Sequence, residues 1–598
     1  MVSTPLIQIL RRPVLAEPST FRGLAPVLAR VYATRSQNAG ETRLSLEALP
    51  SPDDLLGIEA ATDRLIRAVR TNEAICVAGD FDCDGATATA VCVRALRAFG
   101  HGNVSFFVPD RARLGYGLTP GAVDAMRDRK PGLILTVDNG ISSAAGVAHA
   151  REAGIDVIVT DHHLPPDRLP PATATVNPNQ PGDPFPSKAL AGVGVAFYLM
   201  LATRQALRKQ GHFHRRPEPN LAELLDLVAL GTVADMVPLD HTNRILVEQG
   251  LRRIRAGHAS PGIAALLQVS GCNATQIVAS DFGFGLGPRL NAAGRLETMD
   301  IGIQCLLSDD PVHALEIATR LDALNRERRK IGQRMREEAE AIVVEQAATL
   351  GADLPDGLCL FAEGWHQGVV GLVAGRIKDR FHRPVVAFAE DGNTAGRLKG
   401  SARSIPGIHI RDALARVDAL QPGLIERFGG HAMAAGLTLH GEAPSSLERF
   451  RDAFTAAVSD LAPPGAFARV LETDGPLDPE EMSLDTARML RYGGPWGQGF
   501  PEPIWDGPLE VTEVRWVGDG RHAKLRVRYD SAMPPIDAIA FNATELPSLP
   551  QPGIHHLAYR LDVNHYKGIS RPQLVVQTCL PVRQAQTTAP GTRQGFRP

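Results

Sequence analysis

The sequence is poor in cysteine, and its few cysteines are not arranged for structural chemistry. Seven occur in 598 residues, an odd number without any Cys-x-x-Cys pair, at positions 76, 83, 92, 272, 305, 359 and 579. Disulfide frameworks and zinc modules need paired or regularly spaced thiols. The pattern therefore argues against both and favours a reducing, cytoplasmic compartment.

Long apolar runs and an excess of one charge are missing too. No stretch approaches the roughly 18 continuous apolar residues of a membrane span, and the short apolar run before Arg11 and Arg12 is not a signal-peptide core. With 63 Lys and Arg against 66 Asp and Glu, composition alone does not indicate a nucleic-acid binder. Any basic surface must therefore be local.

The chain is long enough for several hydrophobic cores. At about 100 to 200 residues per domain, its length predicts roughly three to five domains. We expect an N-terminal arm with a short helix at 1–45, a first α/β domain at 46–308, a long connector helix at 309–350, a second α/β domain at 351–462, a β-rich domain at 463–582 and a disordered tail at 583–598.

Acidic and imidazole side chains follow three predicted parallel strands at the point where each strand ends. The segment Asp-Phe-Asp-Cys-Asp-Gly at 80–85 follows one strand, Asp-Asn-Gly at 138–140 the next, and Asp-His-His at 161–163 a third. In an open α/β sheet, ligands collect beyond the carboxyl ends of the strands. A fourth position ends an apolar helix predicted over 221–233. We expect these residues to converge on one site: Asp80, Asp82, Asp84, Asp138, His162, His163 and Asp235.

This set predicts a site for two metal ions. Five carboxylates in one crevice repel each other strongly unless cations intervene, and two divalent ions supply four positive charges. The imidazoles favour a transition metal such as Mn²⁺, although Mg²⁺ can substitute. Any one of these aspartates alone also fits a turn former or helix cap, so the prediction rests on the whole set. Cys83 is expected to be a buried packing residue.

Three glycine-rich segments carry basic or polar side chains. We interpret 285–295 as a turn suited to wrapping an anion, and 396–404 and 428–436 as two loops of the second α/β domain. Glycines let backbone amides approach a phosphate, while Arg403 and His431 add charge and hydrogen bonds. Surface charge or ordinary loop structure is the alternative interpretation.

The last domain is predicted to be a small barrel of the OB type, because five short β-rich runs follow one another from 509 to 578. Alternation in 522–529 places Lys524, Arg526 and Arg528 on one face of a strand. Base-stacking rings and phosphate-neutralising charges together suit a groove for a single strand, and a solvated barrel face is the alternative. The candidate DNA-binding residues are Trp516, Lys524, Arg526, Arg528 and Tyr566, with Arg515, Tyr529, Tyr559, Arg560 and Lys567 in the same strands or their turns.

Four motifs occur in an order that resembles the DHH phosphoesterase family. They are Asp-x-Asp-x-Asp-Gly at 80–85, Val-Asp-Asn-Gly at 137–140, Asp-His-His at 161–163 and Gly-Thr-Val-Ala-Asp-Met-Val-Pro-Leu at 231–239. Gly-His-Ala-Met-Ala-Ala-Gly at 430–436 resembles the DHH-associated domain. Pro-Arg-Leu-Asn-Ala-Ala-Gly-Arg at 288–295 and Gly-Ser-Ala-Arg-Ser at 400–404, with the long helix and the barrel, resemble the bacterial single-strand-specific exonucleases of this family.

The resemblance implies a two-lobed α/β fold. A doubly wound, mostly parallel sheet is joined by a long helix to a smaller α/β DHH-associated lobe, and an OB-like β-barrel follows at the C-terminus. It also implies a 5′ to 3′ exonuclease that digests single-stranded DNA to 5′-mononucleotides in recombination and repair in the bacterial cytoplasm. A helicase and a single-strand-binding protein are the protein partners it implies.

The resemblance also assigns roles to residues. Two-metal hydrolysis with Mn²⁺ preferred would use Asp82, Asp84, Asp138, His162 and Asp235 as ligands, with Asp138 bridging and with Asp80 and His163 as further ligands or phosphate contacts. The implied substrate contacts are Arg111, Tyr116, Arg289, Asn291, Arg376, Ser401, Arg403 and His431. Two positions depart from the family pattern: Phe81 replaces a common tyrosine, and Leu114 replaces a usual acidic residue.

Two alternatives compete with this interpretation. Other members of the family cleave nanoRNA, cyclic dinucleotides or pyrophosphate, but those proteins typically lack the further barrel. A non-catalytic DNA-binding scaffold of the same fold need not keep metal ligands, whereas every motif position is filled here.

Overall fold

The computed structural model describes residues 7–110, 113–349, 354–392, 394, 396–440 and 444–582. Arg111 and the predicted disordered tail at 583–598 lie outside this part of the chain. The chain divides into two compact units, one made of 38–326 and 492–502 and the other of 1–37, 327–491 and 503–598. Among the described helices, none combines the length and the hydrophobicity that crossing a bilayer requires.

The first described elements are strand β1 (Ile7–Arg11) and helix α1 (Pro26–Ala33). The short helix was predicted, but the strand was not. Its partner strand lies more than 450 residues further along the chain. The sequence of residues 1–45 alone therefore could not indicate that this segment pairs as a strand.

A parallel sheet forms the centre of the 38–326 unit. Its strands, in the spatial order β3-β2-β4-β5-β6, pair in parallel throughout. Every residue of β2 and β4 is buried, which is why both strands are continuous apolar runs. The strands are β2 (Ile75–Gly79), β3 (Val104–Phe107), β4 (Leu133–Val137), β5 (Asp156–Thr160) and β6 (Ala174–Val176).

Helices cover both faces of this sheet, so the predicted doubly wound architecture is confirmed. One face packs on α4 and α5 through a cluster that includes Met126 and Val147, and α3 and α6 pack against each other and the sheet. The helices are α2 (Ile58–Thr71), α3 (Cys83–Ala98), α4 (Pro120–Ala125), α5 (Ala144–Glu152), α6 (Gly192–Lys209), α7 (Leu225–Ala234), α8 (His241–Arg255), α9 (Pro261–Ser270), α10 (Ala279–Asp281), α11 (Gly287–Leu296) and α12 (Asp300–Leu307).

The interpretation of 285–295 as a turn was wrong. Residues Phe282–Leu286 form a π-helical segment that continues directly into α11. Leu290, Ala292 and Ala293 are buried, so the small and apolar residues of this segment form the packed face of a helix. The glycines among them serve helix packing rather than a chain reversal.

Helix α13 (Pro311–Thr349) confirms the predicted long connector. Its 39 residues span about 58 Å at 1.5 Å per residue. Asp310 caps it, because Asp310 Oδ1 accepts a hydrogen bond from Val312 N at 2.9 Å. The boundary between the two units falls inside this helix, between Arg326 and Glu327.

The second α/β lobe is built on a five-stranded sheet of order β10-β11-β9-β8-β7, in which β7 and β8 are parallel and the remaining pairs antiparallel. Its elements are β7 (Leu358–Phe361), α14 (Val370–Phe381), β8 (Val385–Glu390), β9 (Arg397–Arg403), α15 (Ile410–Leu420), β10 (Ile425–Gly430), β11 (Ala434–His440) and α16 (Ser445–Leu461).

Most of the residues in the two loops predicted in this lobe lie in strands, so that prediction was wrong. Residues 397–403 are β9, and 428–436 contains the ends of β10 and β11 with a short turn between them. A Cβ atom at Gly400 would approach Leu437 and Phe388 to 2.5 Å. This glycine therefore allows close packing within a sheet, a role that the sequence pattern cannot distinguish from anion binding.

A closed five-stranded barrel ends the described chain, which confirms the OB-type prediction. Strands run in the order β13-β14-β15-β17-β16, and β15 and β17 are the parallel pair. The elements after α16 are β12 (Arg469–Thr473), α17 (Leu484–Tyr492), β13 (Trp505–Val517), β14 (His522–Arg528), β15 (Ile536–Ala540), β16 (Gly553–Tyr566) and β17 (Ile569–Pro581).

The N-terminal strand β1 pairs in parallel with β12 and packs on the barrel, where Ile9 meets Ala558 and Leu580. Buried Asp506 fixes this junction. Its carboxylate accepts hydrogen bonds from Thr473 Oγ1 at 2.6 Å and from Arg11 Nη2 at 3.3 Å, and His556 Nε2 lies 2.9 Å from its Oδ2.

Candidate metal centre

Four of the predicted ligands meet where the strands of the parallel sheet end. His162 Nε2 lies 3.1 Å from Asp138 Oδ1, 3.6 Å from Asp235 Oδ2 and 4.0 Å from Asp84 Oδ2. Asp138 follows β4, His162 follows β5, and Asp235 caps the end of α7, so three elements deliver one side chain each. The convergence expected from the strand ends is therefore present.

Asp84 is held by the N-terminus of another helix. It lies in the first turn of α3, and its two oxygens accept hydrogen bonds from Gly192 N at 2.7 Å and Val193 N at 2.9 Å, the first amides of α6. A helix N-terminus favours a negative charge, so α6 stabilises the Asp84 carboxylate. A Cβ atom at Gly192 would lie 2.6 Å from Asp138 Oδ1. Only glycine allows this close approach.

Asp82 ends the acidic loop and begins α3. Its Oδ1 accepts a hydrogen bond from Gly85 N at 3.0 Å, so Asp82 is the N-cap of α3. Helix α11 supports the same loop from outside. Asn291 Oδ1 accepts a hydrogen bond from Cys83 N at 2.7 Å, and Gly294 leaves room for the Phe81 carbonyl.

Asp138 has a strained backbone. Its φ is +60°, in the left-handed region that side-chain-bearing residues seldom adopt. Buried Asn139 stabilises the turn by donating from Nδ2 to Val137 O at 2.8 Å and to Ala78 O at 3.1 Å. This amide ties the ends of β4 and β2 together and fixes the direction in which Asp138 points.

Three residues that sequence reasoning missed hold the two histidines. Asp161 Oδ1 accepts hydrogen bonds from His162 N at 2.8 Å and His163 N at 3.1 Å, and lies 2.7 Å from His163 Nδ1. Asn177 donates to His163 O at 2.9 Å and Asn179 to His162 O at 2.6 Å. The sequence did offer one signal, because Asn177 and Asn179 closely follow β6, a further strand of the same sheet.

Burial and mutual repulsion disfavour ionisation of these acids. Burial first, and then the charges of Asp235 and Asp82, raise the pKa of Asp84 well above its ordinary value. Burial and the charges of Asp84 and Asp82 raise the pKa of Asp138 in the same way. Burial and Asp82 raise the pKa of Asp235 to about 7.

Asp161 and His163 behave differently because they pair with each other. Burial alone would raise the pKa of Asp161, but the hydrogen bond and charge of His163 lower it overall. Burial alone would lower the pKa of His163, but the hydrogen bond to Asp161 and the nearby carboxylates raise it to about 9.

The donor set fits divalent cations. Ligand atoms within 4.8 Å of one another form three groups, namely Asp138 with His162 and His163, Asp84 with His162 and Asp235, and Asp80 with Asp82 and Asp138. Asp138 belongs to two of them. Its buried Oδ1 lies 3.1 Å from His162 Nε2 but makes no well-aligned hydrogen bond to the described residues, so this atom could bind a cation.

The predicted substrate residues of this unit have different surroundings. Tyr116 lies beside the site, with its ring centroid 6.1 Å from those of both Phe81 and His163, and its side chain is half exposed. Arg289, in contrast, is buried in α11, where Nε donates to Asp322 Oδ1 at 2.9 Å and Nη1 binds the Gly285 carbonyl. These contacts tie α11 to α13, and Asn291 holds the acidic loop, so neither side chain is displayed in a turn.

The structure brings together some of the predicted substrate residues of the second lobe, but not all of them. Arg403 Nη1 donates to Ser401 Oγ at 3.1 Å, and the first turn of α14 packs against this pair. His431 lies in the turn between β10 and β11, where its N donates to Ala434 O at 2.8 Å, and Ala434 is opposite Arg403 in the sheet. Arg376 lies on α14. A helix N-terminus beside a serine and an arginine is suited to an anion.

The structure confirms that the three basic residues of β14 lie on one face of the strand, but acidic neighbours partly neutralise their charge. Lys524, Arg526 and Arg528 alternate with buried residues of β14. Arg526 Nη1 lies 3.0 Å from Asp537 Oδ1 and Arg528 Nε 2.6 Å from Glu510 Oε2. The aromatic residues divide between surface and core, because Trp516 and Tyr566 are exposed, whereas Tyr559 is buried and cannot stack on a base.

Comparisons with known proteins agree with this architecture. Residues 74–232 match the DHH family N-terminal domain, 355–460 the DHHA1 domain and 473–578 the RecJ OB domain. The chain is 50% identical over 581 residues to the single-stranded-DNA-specific exonuclease RecJ of Escherichia coli strain K12, covering 96% of this chain and 99% of that protein.

Solved structures give the same result. The crystal structure of RecJ from Thermus thermophilus in complex with Mn²⁺ has a TM-score of 0.77 at 29% identity, over 96% of this chain and 79% of that chain. The Mg²⁺ complex from the same organism has a TM-score of 0.72 at 28% identity, over 96% and 78%.

Proposed function

The chain belongs to the RecJ family of DHH proteins, and from this we propose that it is a single-stranded-DNA-specific exonuclease that works 5′ to 3′ and releases 5′-mononucleotides. Half of its residues are identical to those of a single-stranded-DNA-specific exonuclease, over nearly the full length of both chains. We further propose that it acts in recombination and repair in the bacterial cytoplasm, supplied with single strands by a helicase and a single-strand-binding protein.

The observation that carries the proposal is the meeting of Asp84, Asp138 and Asp235 around His162 Nε2, within 3.1 to 4.0 Å. Carboxylates with raised pKa values at such distances are costly unless cations share them. A scaffold that only bound DNA would have no use for this arrangement.

The three groups of donors would hold two divalent cations, and Asp138 belongs to two of these groups. We propose Asp82, Asp84, Asp138, His162 and Asp235 as ligands and Mn²⁺ as the preferred ion, because imidazole nitrogen stands beside carboxylate oxygen. Asp80 completes one group and is a further candidate. When bound, the ions would lower the pKa of a water molecule and neutralise negative charge on the scissile phosphate.

The protein's own contribution is to hold the donors in place before substrate arrives. The α6 amides fix both oxygens of Asp84, and Asn139 fixes the turn that carries Asp138. His163 donates from Nδ1 to Asp161 Oδ1, and we propose it as a phosphate contact or a further ligand.

The substrate contacts are proposed from the remaining groups. Tyr116 stands beside His163 at the metal centre. Ser401, Arg403, His431 and Arg376 are our candidates for binding a terminal phosphate on the second lobe. Arg289 and Asn291 are better explained as supports of the catalytic unit.

The experiment compares oligonucleotides labelled at the 5′ or the 3′ end, single-stranded and as blunt duplex, with Mn²⁺ and with chelator. We expect 5′-labelled mononucleotide to appear first from the single strand, little product from the duplex, and none with chelator. The Asp138→Ala variant, purified in parallel, controls for a contaminating nuclease. Release of 3′ label first, or equal rates on single and double strands, contradicts the proposal.

A further inference from the structure

Two large apolar side chains, in segments that adjoin the helix ending at Asp235, are unusually exposed. Phe284 and Met236 show 78% and 70% of their surface to solvent, the two highest values among the described large hydrophobic residues. Met236 directly follows the candidate ligand Asp235. Exposure on this scale excludes a role for either side chain in the hydrophobic core.

The backbone at Met236 is strained. Its φ is +64°, in the left-handed region, where a residue with a long side chain is unfavourable. The segment is not a loose end, because Leu239, three residues further on, is buried and its N donates to Gln498 O at 2.7 Å. Strain that an ordered segment retains is typical of functional positions.

Phe284 lies in a second irregular segment, whose flanking glycines adjoin the last residues of α7: a Cβ atom at Gly283 would lie 3.8 Å from Val233 and one at Gly287 3.1 Å from Ala234. It lies in the middle of the π-helical segment, which packs on α7, the helix that ends at Asp235. Single π-helical turns inside a helix frequently occur at functional sites. Two independent departures from regular backbone geometry therefore each display an apolar side chain next to the end of α7.

We propose that Met236 and Phe284 form an apolar platform that receives nucleobases of the single strand at the metal centre. This inference rests on the proposed function and deepens it, because it assigns the groups that recognise the base, whereas the metal centre acts on phosphate. Bases of a single strand expose their ring faces, and those of a duplex are stacked and paired. An apolar platform therefore distinguishes the two.

The two side chains suit every base equally. An aromatic ring stacks on any base, since each has a π-face, and a flexible, polarisable thioether adapts to rings of different size. The platform offers no polar group that would choose between bases. It therefore fits an enzyme that removes nucleotides in any sequence.

The test measures kcat/KM on two 5′-phosphorylated oligonucleotides, one with normal terminal nucleotides and one with base-free tetrahydrofuran residues at the same positions. Both have the same number of phosphates. We expect the wild-type protein to prefer the normal strand, and the Met236→Gly and Phe284→Ala variants each to reduce that preference about tenfold. Glycine suits the left-handed backbone, so Met236→Gly is expected to fold at least as stably as the wild type.

Val312→Ala is the matched control, because Val312 is 68% exposed and belongs to no segment that carries a candidate ligand. It is expected to leave the preference unchanged. An unchanged preference in both platform variants overturns the inference, as does an equal loss on the two oligonucleotides, which would mean that the side chains only position Asp235. If the wild-type protein digests neither oligonucleotide, the proposed function itself has failed.

Discussion

The hydrogen bond between Asn291 and the acidic loop allows a decisive test of how this site is held. Asn291 was expected from sequence to contact a phosphate, but its Oδ1 accepts from Cys83 N at 2.7 Å, and Cys83 is buried. In Asn291→Ala the first amide of α3 loses its acceptor. Asn291→Asp keeps an oxygen at the same position and is the conservative control.

The size of the effect follows from the burial of that amide. A buried donor left without a partner costs about 1 to 3 kcal/mol. For a unit of about 300 residues the melting temperature should fall by about 1.5 to 2 °C per kcal/mol. Because α3 carries Asp84 and is capped by Asp82, the loop also loses its alignment, and losing such a supporting contact typically weakens metal binding by about 10- to 100-fold.

The assay combines thermal unfolding in chelator with activity measured over an Mn²⁺ series at saturating DNA. We expect Asn291→Ala to melt earlier and to need more Mn²⁺ for half-maximal rate, and Asn291→Asp to recover most of both losses. A higher KM for DNA with unchanged metal dependence and unchanged melting temperature would refute this reasoning. That result would restore the phosphate contact predicted from sequence.

Three further predictions concern the metal centre, the barrel junction and the barrel surface. Asp138→Ala should lower the rate more than 100-fold, about 2.7 kcal/mol, without lowering the melting temperature in chelator, since one repelling carboxylate is gone; more than one per cent residual rate contradicts its proposed ligand role. Burial would raise the pKa of Asp506, but hydrogen bonds from His556, Thr473 and Arg11 lower it to about 2, below its ordinary 3.8. It therefore contributes about 2 to 3 kcal/mol that is present above roughly pH 4 and lost as the pH falls through about 2; urea unfolding between pH 5 and 2 should show a shallower loss in Asp506→Asn, and equal slopes contradict this. Lys524→Ala should reduce the salt dependence of binding to a long single strand by about one phosphate contact, while Arg526→Ala, already paired with Asp537 at 3.0 Å, should change it less; equal effects in a salt series contradict this.

The convergence of the acids was predictable because it depends on a general property of parallel sheets. β2 and β4 are buried throughout and β5 is buried after its first residue, and each strand is followed at once by Asp. Once three such runs are recognised as parallel neighbours, their carboxyl ends must share one edge. Asp235 was placed correctly because the apolar helix before it ends there.

The supports of the site were not predictable, because their partners are distant in sequence. Gly192 lies 108 residues from Asp84, and Asn291 lies 208 residues from Cys83. Nothing near Gly192 distinguishes it from other helix-starting glycines. The role of Gly192 is apparent only in the structure, where a Cβ atom on this residue would collide with the Asp138 side chain.

Glycine misled the prediction at three segments for one physical reason. A residue without a Cβ permits a turn, an approach of backbone to phosphate, or close packing of two elements, and the sequence does not say which. At Gly294 and Gly400 the neighbour is another part of the protein, the Phe81 carbonyl in one case and Leu437 in the other. At these two glycines composition therefore located a tightly packed place but did not identify the protein neighbour that the glycine accommodates.

The hydrogen bonds of the acids distinguish Asp138 from its neighbours. Asp84 uses both oxygens on α6 amides, Asp82 caps α3, and Asp161 is occupied by backbone amides and His163. Asp138 keeps a buried Oδ1 without a hydrogen bond to the described residues, on a backbone in a strained conformation. Burying an acceptor in that state is costly, and a shared cation is the group that offsets both the missing hydrogen bond and the repulsion from neighbouring acids. This state of Asp138 supports the proposal that it would be a metal ligand, as does its place in two of the three donor groups.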